Sequence, residues 1–143
     1  MSFSGEYRHN MDQKNRIFIP AKFRELLGEK FTIARDLREK CLKIYSGSAW
    51  DAYMKQLETK PAKLSEPLMR LLSGTSVEVS PDSQGRIILP KELVAHAQIE
   101  REVVIVGCWK NAEIWSEALY KKNNEEIDVE ALVAELDRLE FRI

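Results

Sequence analysis

Residues 12–20 read DQKNRIFIP and residues 82–90 read DSQGRIILP, so Asp, Arg, Ile and Pro recur in register 70 residues apart. The pairs are Asp12 with Asp82, Arg16 with Arg86, Ile17 with Ile87 and Pro20 with Pro90. The register continues where LKIY at 42–45 stands opposite AEIW at 112–115, and Trp50 opposite Tyr120. One small unit is therefore written twice in 143 residues, and a site in one copy implies a twin in the other. A unit this short buries too little apolar surface to stand alone. The second copy is its obvious partner, which predicts one pseudo-two-fold body rather than two independent beads.

Each motif reads as a turn between strands. Short, partly alternating apolar segments precede it, at Glu6 to Met11 and Val77 to Val79. Asp12 and Asp82 suit the start of a turn, because the carboxylate accepts from backbone N–H groups two or three residues on. Asn15 and Gly85 are equivalent, and these residue types most readily take positive φ. RIFIP and RIILP then read as the second strands of hairpins, rich in β-branched residues. Pro20 and Pro90 end the strands and suit a helix start. AKFRELLG is the first helix, with Phe23, Leu26 and Leu27 on one face and Gly28 as its stop, and KELVAHAQ is its weaker counterpart. FTIAR with CLKIYS, and VVIVGC with AEIWS, read as two further strand pairs.

The segment 48–75 reads as linking helices: Ser48 caps one carrying Trp50, Tyr53, Met54 and Leu57, ETKPAK follows, and a second runs from Ser65 to Gly74. Residues 120–143 form an acidic tail, helical by pattern over DVEALVAELDRLEFRI and expected to be only partly ordered. The repeats occupy residues 5–47 and 76–119.

Composition narrows the function. Hydrophobic residues are 44% and charged residues 31% of the chain, a globular balance. No apolar run approaches a membrane span, and the polar N-terminus does not read as a signal peptide, which points to the cytoplasm. Cys41 and Cys108 are expected as buried free thiols, since neither CxxC spacing nor a nearby His suggests a metal. Net charge is −1, but it is unevenly spread. Residues 116–143 carry four basic and eight acidic residues, leaving +3 on the rest. Between Arg8 and Arg24 lie Lys14, Arg16 and Lys22 against a single acid, Asp12. The equivalent stretch 78–94 has Arg86 and Lys91 against Glu78, Asp82 and Glu92. Such a cluster is usually a solvated face, and composition by itself leaves DNA binding a minority reading.

No nucleophile elbow, glycine-rich phosphate loop or metal-spaced carboxylate cluster is written here, so no enzyme, cofactor or small-molecule substrate is expected. His9 and His96 are not at equivalent positions. Asp12 and Asp82 are explained by turn capping, and Trp50, Trp109 and Trp115 by core packing. Arg16 and Arg86 allow two readings. Each pairs with its own motif Asp across the turn, or each projects from a rigid turn toward phosphates and base edges. Lys14 adds a cation in the first copy, where the second has Gln84.

At these residues the sequence resembles the MraZ family of bacterial transcriptional regulators, built from two tandem SpoVT/AbrB-type domains. The likeness covers about residues 5–119: GEY at 5–7, DQKNRIFIPAKFRELLG, Trp50, SGTSVEV, DSQGRIILP, VVIVG and EIW. It implies an α+β, mainly β fold: a duplicated swapped-hairpin AbrB-like β-barrel with short flanking helices. It also implies ring-like homo-oligomers that bind direct repeats in double-stranded DNA upstream of a division and cell-wall gene cluster containing their own gene, usually to repress it. Such a protein would sit in the cytoplasm at the nucleoid. The family's Asp-x-Lys-Gly-Arg motif carries its DNA-contacting Lys and Arg over to Lys14 and Arg16, and its second copy to Arg86. Here Asn15 replaces the motif's Gly, which keeps positive φ accessible but adds a side chain at the contact. Arg8 and Lys22 extend the basic surface, while Asp12, Asp82 and Gly85 shape the turns. A different class of function stays open: an oligomeric scaffold or protein-binding module whose repeats are only structural.

Overall fold

A computed structural model describes residues 2–143. The first copy contributes β1 (Glu6–Asn10), β2 (Arg16–Phe18), α1 (Ala21–Leu27), β3 (Phe31–Arg35) and β4 (Leu42–Ser46). α2 (Gly47–Glu58) and α3 (Ala62–Thr75) connect it to the second copy: β5 (Val77–Val79), β6 (Arg86–Ile88), α4 (Lys91–Ala97), β7 (Glu102–Gly107) and β8 (Ala112–Ser116). α5 (Glu117–Glu125) and α6 (Val129–Arg138) complete the chain. α3 begins before Ser65 because Pro61 can open it without losing a hydrogen bond. It runs through Gly74, and the Thr75 hydroxyl then caps the Leu71 carbonyl at 2.7 Å. No helix among the described residues is long and apolar enough to cross a membrane.

The strands do not pair as the motif hairpins predict. β1 leaves its own copy to pair with β7, and β5 pairs with β3. β2 and β6 pair only with each other. The result is one six-stranded antiparallel sheet in the order β1-β7-β8-β4-β3-β5, plus a two-stranded β2–β6 ribbon. The expected barrel is thus open, with β1 and β5 as its edges. Exchange of strands has a simple cause. A three-residue strand such as β2 has too little ladder to hold itself, whereas crossing to the other copy gives it a partner and a shared core.

That core is single. Ile17, Ile19, Phe23 and Ile33 of the first copy lie in one buried cluster with Ile87, Leu89, Leu93 and Ile105 of the second. Phe3 and Tyr7 meet the Phe23 ring edge-on, each at 5.3 Å. The repeat offset is not constant, however. Phe31 pairs with Ser46 and Val103 with Ser116, so β3 and β7 correspond at 72 residues (103 − 31) while β4 and β8 keep 70. Two extra residues precede β7 and two fewer close its hairpin, which leaves side-chain facing intact because strand period is two.

Three expectations from the sequence need correction. Trp109 is not a core residue: it is 71% exposed at the tip of the β7–β8 hairpin, in a positive-φ conformation held by paired backbone hydrogen bonds with Phe3. Cys108 opens to the surface beside it, whereas Cys41 is buried, and both are free thiols. The cap of α2 is Ser46, whose hydroxyl accepts from Ala49 N–H at 3.2 Å, rather than Ser48; α6 is helical as its pattern predicts, capped by Asp128 and with no residue buried.

The pseudo-dyad passes between β4 and β8, where Lys43 faces Glu113. These positions are repeat equivalents, yet they carry opposite charge and form an ion pair at 3.3 Å. Asp36 adds a contact to Lys43 at 3.8 Å, and the Trp115 indole donates to Glu113 at 2.9 Å. Burial pulls the Lys43 ammonium down, but Glu113 and Asp36 outweigh it and hold the charged form. Opposite charges at one symmetry position favour joining copy one to copy two over joining two identical copies. Lys43→Glu or Glu113→Lys should each cost about 1–3 kcal/mol, between the exposed and buried limits. The double reversal should recover most of that in urea unfolding. Additive losses in the double variant would contradict the pairing.

Candidate nucleic-acid interface

Both motif turns are built alike. In the first, Asn15 N–H donates to the Asp12 carbonyl at 3.0 Å, and Asp12 N–H to the Arg16 carbonyl at 3.1 Å. The Asp12 Oδ1 atom accepts from the backbone N–H of Lys14 and of Arg16, each at 2.9 Å, and Oδ2 accepts from Arg16 Nε at 2.6 Å. In the second, Asp82 Oδ1 accepts from the N–H of Gln84 and Arg86 at 2.9 Å, and Oδ2 from Arg86 Nε at 3.0 Å. The backbone N–H of the arginine above all, together with its guanidinium and the backbone N–H of Lys14 or Gln84, holds each carboxyl below its ordinary range against the opposing effect of burial. Each aspartate therefore fixes both the backbone of its turn and the direction of its arginine.

Asn15 and Gly85 have φ of 59° and 82°, the left-handed region that residue type suggests. Their carbonyls do something the sequence does not announce. Asn15 accepts from Leu89 N–H at 2.8 Å, and Gly85 accepts from Ile19 N–H at 2.9 Å. Each turn is thus sewn to the strand of the other copy.

The two positions are not interchangeable. Arg24, in the last turn of α1, donates from Nε to the Ile19 carbonyl at 3.0 Å and lies over Gly85. A Cβ at Gly85 would stand 2.9 Å from the Arg24 guanidinium carbon. The residue equivalent to Arg24 in the second copy is Val94, which presents no guanidinium to Asn15. Gly85, with no Cβ, leaves the Arg24 guanidinium its place over the second turn.

The reading that pairs each arginine with its own aspartate is the one the structure shows. Arg16 and Arg86 do not project freely: their Nε atoms are committed, and their side chains are only 29% and 23% exposed. Their Nη1 and Nη2 atoms make no hydrogen bond among the described residues. Register then brings the arginines together. Arg16 stands opposite Ile88, and Phe18 opposite Arg86. Ile17 and Ile87 point into the core between them. The arginines are diagonal neighbours on the outer face of the ribbon, at positions about 7–8 Å apart by strand geometry. Two sites that look separate in sequence form one face.

The remaining basic residues divide. Lys14 is exposed at the first turn, where Gln84 stands at the second. Arg8 is occupied, at 3.0 Å from Glu6 and 3.2 Å from Glu117; these carboxylates raise its guanidinium against burial. Lys22, near the start of α1, donates to the Ser4 hydroxyl at 3.3 Å. Sequence reasoning missed Arg24 as a turn residue and Glu117 as the partner of Arg8, because both contacts cross between elements. Among the described residues, no group of three or more His, Cys, Asp or Glu is placed to hold a metal ion.

The geometry of the turns makes a directional prediction. Asn15→Gly should change stability by less than about 1 kcal/mol. Gly85→Asn, which forces a side chain onto Arg24, and Asn15→Val, which puts a branched residue at positive φ, should each cost about 1–3 kcal/mol. Urea midpoints measure the difference, and equal costs for Asn15→Gly and Gly85→Asn would contradict it.

Compared with known families, the chain matches the one described as "MraZ protein, putative antitoxin-like" twice, over residues 2–73 and 71–142. It is similar to a protein of Thermoanaerobacter sp. (strain X514) named "Transcriptional regulator MraZ", 39% identical over 94% of this chain and 96% of that one. Proteins of the same name from Carboxydothermus hydrogenoformans and Halothermothrix orenii are 40% and 42% identical, over 82% and 80% of this chain and 83% and 80% of theirs. The open sheet with its exchanged ribbon is the duplicated AbrB-like α+β arrangement, and the chain belongs to the MraZ family.

Proposed function

We propose that the chain is a DNA-binding transcriptional regulator whose contact surface is the β2–β6 ribbon with its two turns. The observation that carries this reading is the convergence of Arg16 and Arg86 on one rigid face, each with its Nη donors directed by an aspartate. A guanidinium fork held in place suits the paired acceptors of guanine, and a major groove about 12 Å wide admits a two-stranded ribbon. Lys14, exposed at the turn, suits a phosphate. Relatives named as transcriptional regulators support the same reading.

The finer function follows from the charge. A chain of net charge −1 has little general attraction for DNA, so its contact has to be multiplied. We place several copies head to tail in a homo-oligomeric ring, so that equivalent turns face direct repeats upstream of the division and cell-wall gene cluster containing the chain's own gene, which the bound ring represses. The repeats at 5–47 and 76–119 act in it as one unit, in the cytoplasm at the nucleoid. A scaffold without DNA recognition is the competing reading.

Fluorescence anisotropy with a duplex from upstream of the gene, against random duplex, separates the two. Arg16→Ala should weaken specific binding by about tenfold or more. Arg16→Lys should do nearly the same, since it keeps a partner for Asp12 but loses the fork. Arg86→Ala should cost less, because Gln84 leaves that turn without a phosphate-binding lysine. Lys14→Ala should weaken binding to all duplexes and flatten log affinity against log salt by roughly one for each phosphate the lysine neutralises. If the parent shows no salt-sensitive preference for the upstream duplex, the scaffold reading stands instead.

A further inference from the structure

The outer face of the ribbon is not uniformly polar. Along β2 it presents Arg16 and then Phe18, and along β6 Arg86 and then Ile88. Phe18 is 42% and Ile88 60% exposed, while their strand neighbours Ile17 and Ile87 are buried. Antiparallel register sets each apolar side chain directly across from the arginine of the other copy, with Cβ atoms about 4.5–5.5 Å apart. The surface is a two-by-two checkerboard of guanidinium and hydrocarbon.

We infer that Phe18 and Ile88 read thymine methyl groups in the major groove, next to the bases contacted by Arg16 and Arg86. This rests on the DNA-binding reading above. The thymine C5-methyl is the distinctive apolar group on the major-groove edge, and it is recognised by apolar contact. Guanidinium and hydrocarbon side by side therefore select a guanine beside an A·T pair whose methyl faces the ribbon. A second copy of this chain is a poorer occupant. The face holds four donor-bearing Nη atoms from two arginines and no acceptor among Arg16, Phe18, Arg86 and Ile88, so copies meeting there would bury donors unpaired. DNA supplies acceptors next to each methyl.

The two copies differ in a way that sharpens the inference. His9 lies against Phe18, ring centroids 5.6 Å apart, and fixes it from the β1 side. Its repeat equivalent is Val79, and there a groove of about 500 Å³ opens beside Ile88, lined also by Val77 and Ser80. Phe18 is a buttressed contact and Ile88 has room to shift, so the Phe18 half should discriminate more strongly.

The test is a cycle between side chain and methyl. The full-length chain first enriches a duplex from a random-sequence pool, and that duplex is then remade with deoxyuridine for every thymidine. The parent should bind the deoxyuridine duplex more weakly, by about fourfold for each methyl that a side chain had covered. Phe18→Ala should bind the thymidine duplex more weakly but lose much of this sensitivity, and Ile88→Ala should lose less of it. Circular dichroism and sizing check that both variants fold and assemble as the parent does. Tight binding with no difference between the duplexes would overturn the methyl contact and leave DNA binding intact. If no duplex is enriched, DNA binding itself fails, and the inference with it. If Phe18→Ala or Ile88→Ala breaks up the assembly while methyl removal has no effect, the ribbon is a face between copies and the inference is wrong.

Discussion

Two backbone hydrogen bonds, Ile19 to the Gly85 carbonyl and Leu89 to the Asn15 carbonyl, hold the rest of the arrangement in place. Each joins the left-handed residue of one turn to the strand that leaves the other turn. Without them the β2–β6 ladder would end at three residue pairs, a short run with little to hold its register. With them, Ile17, Ile19, Ile87 and Leu89 are committed to the core, and Arg16, Phe18, Arg86 and Ile88 to the outside. A shift of one residue would exchange those sets. Fold and contact surface thus depend on one register, and the aspartate of each turn sets it locally through the N–H groups it holds.

Duplication gives a pseudo-symmetric frame, and the differences between copies give it direction. Lys43 and Glu113 turn a symmetry position into an ion pair, which makes the match of unlike copies better than that of like ones. Arg24 closes over Gly85, where Val94 leaves room at Asn15. Lys14 against Gln84 puts the stronger field at one end of the ribbon. Each difference is a single side chain and leaves the backbone hydrogen bonds of the turns alike.

Much of this is legible in the residues. Register of DQKNRIFIP on DSQGRIILP shows the duplication, and Asn opposite Gly identifies the left-handed turn residue. The proline-started helices follow from the same comparison. What periodicity does not tell is which strand a buried strand pairs with. EYRHN and RIF read as neighbours across a turn, and only the family resemblance suggests that hairpins are exchanged between copies. Pairing of each arginine with its aspartate stays open in the sequence because four-residue spacing fits either orientation of the side chain. Trp109 misleads for a related reason. A tryptophan beside an apolar strand predicts burial, but Trp109 lies beyond the last β7–β8 pair, Gly107 with Ala112, in the connecting loop. The contacts of Arg8 with Glu117 and of Arg24 with Ile19 join elements that no local pattern connects.

Native-state hydrogen exchange of the Ile19 and Leu89 amides tests the central claim most directly. If the cross-copy hydrogen bonds lock β2 to β6 over the common core, both amides exchange only through global opening, with the same free energy and denaturant dependence as the slowest amides of β3 and β7. Exchange at a much lower free energy, insensitive to denaturant, would show that the ribbon opens by itself. The arginines would then not share a rigid face.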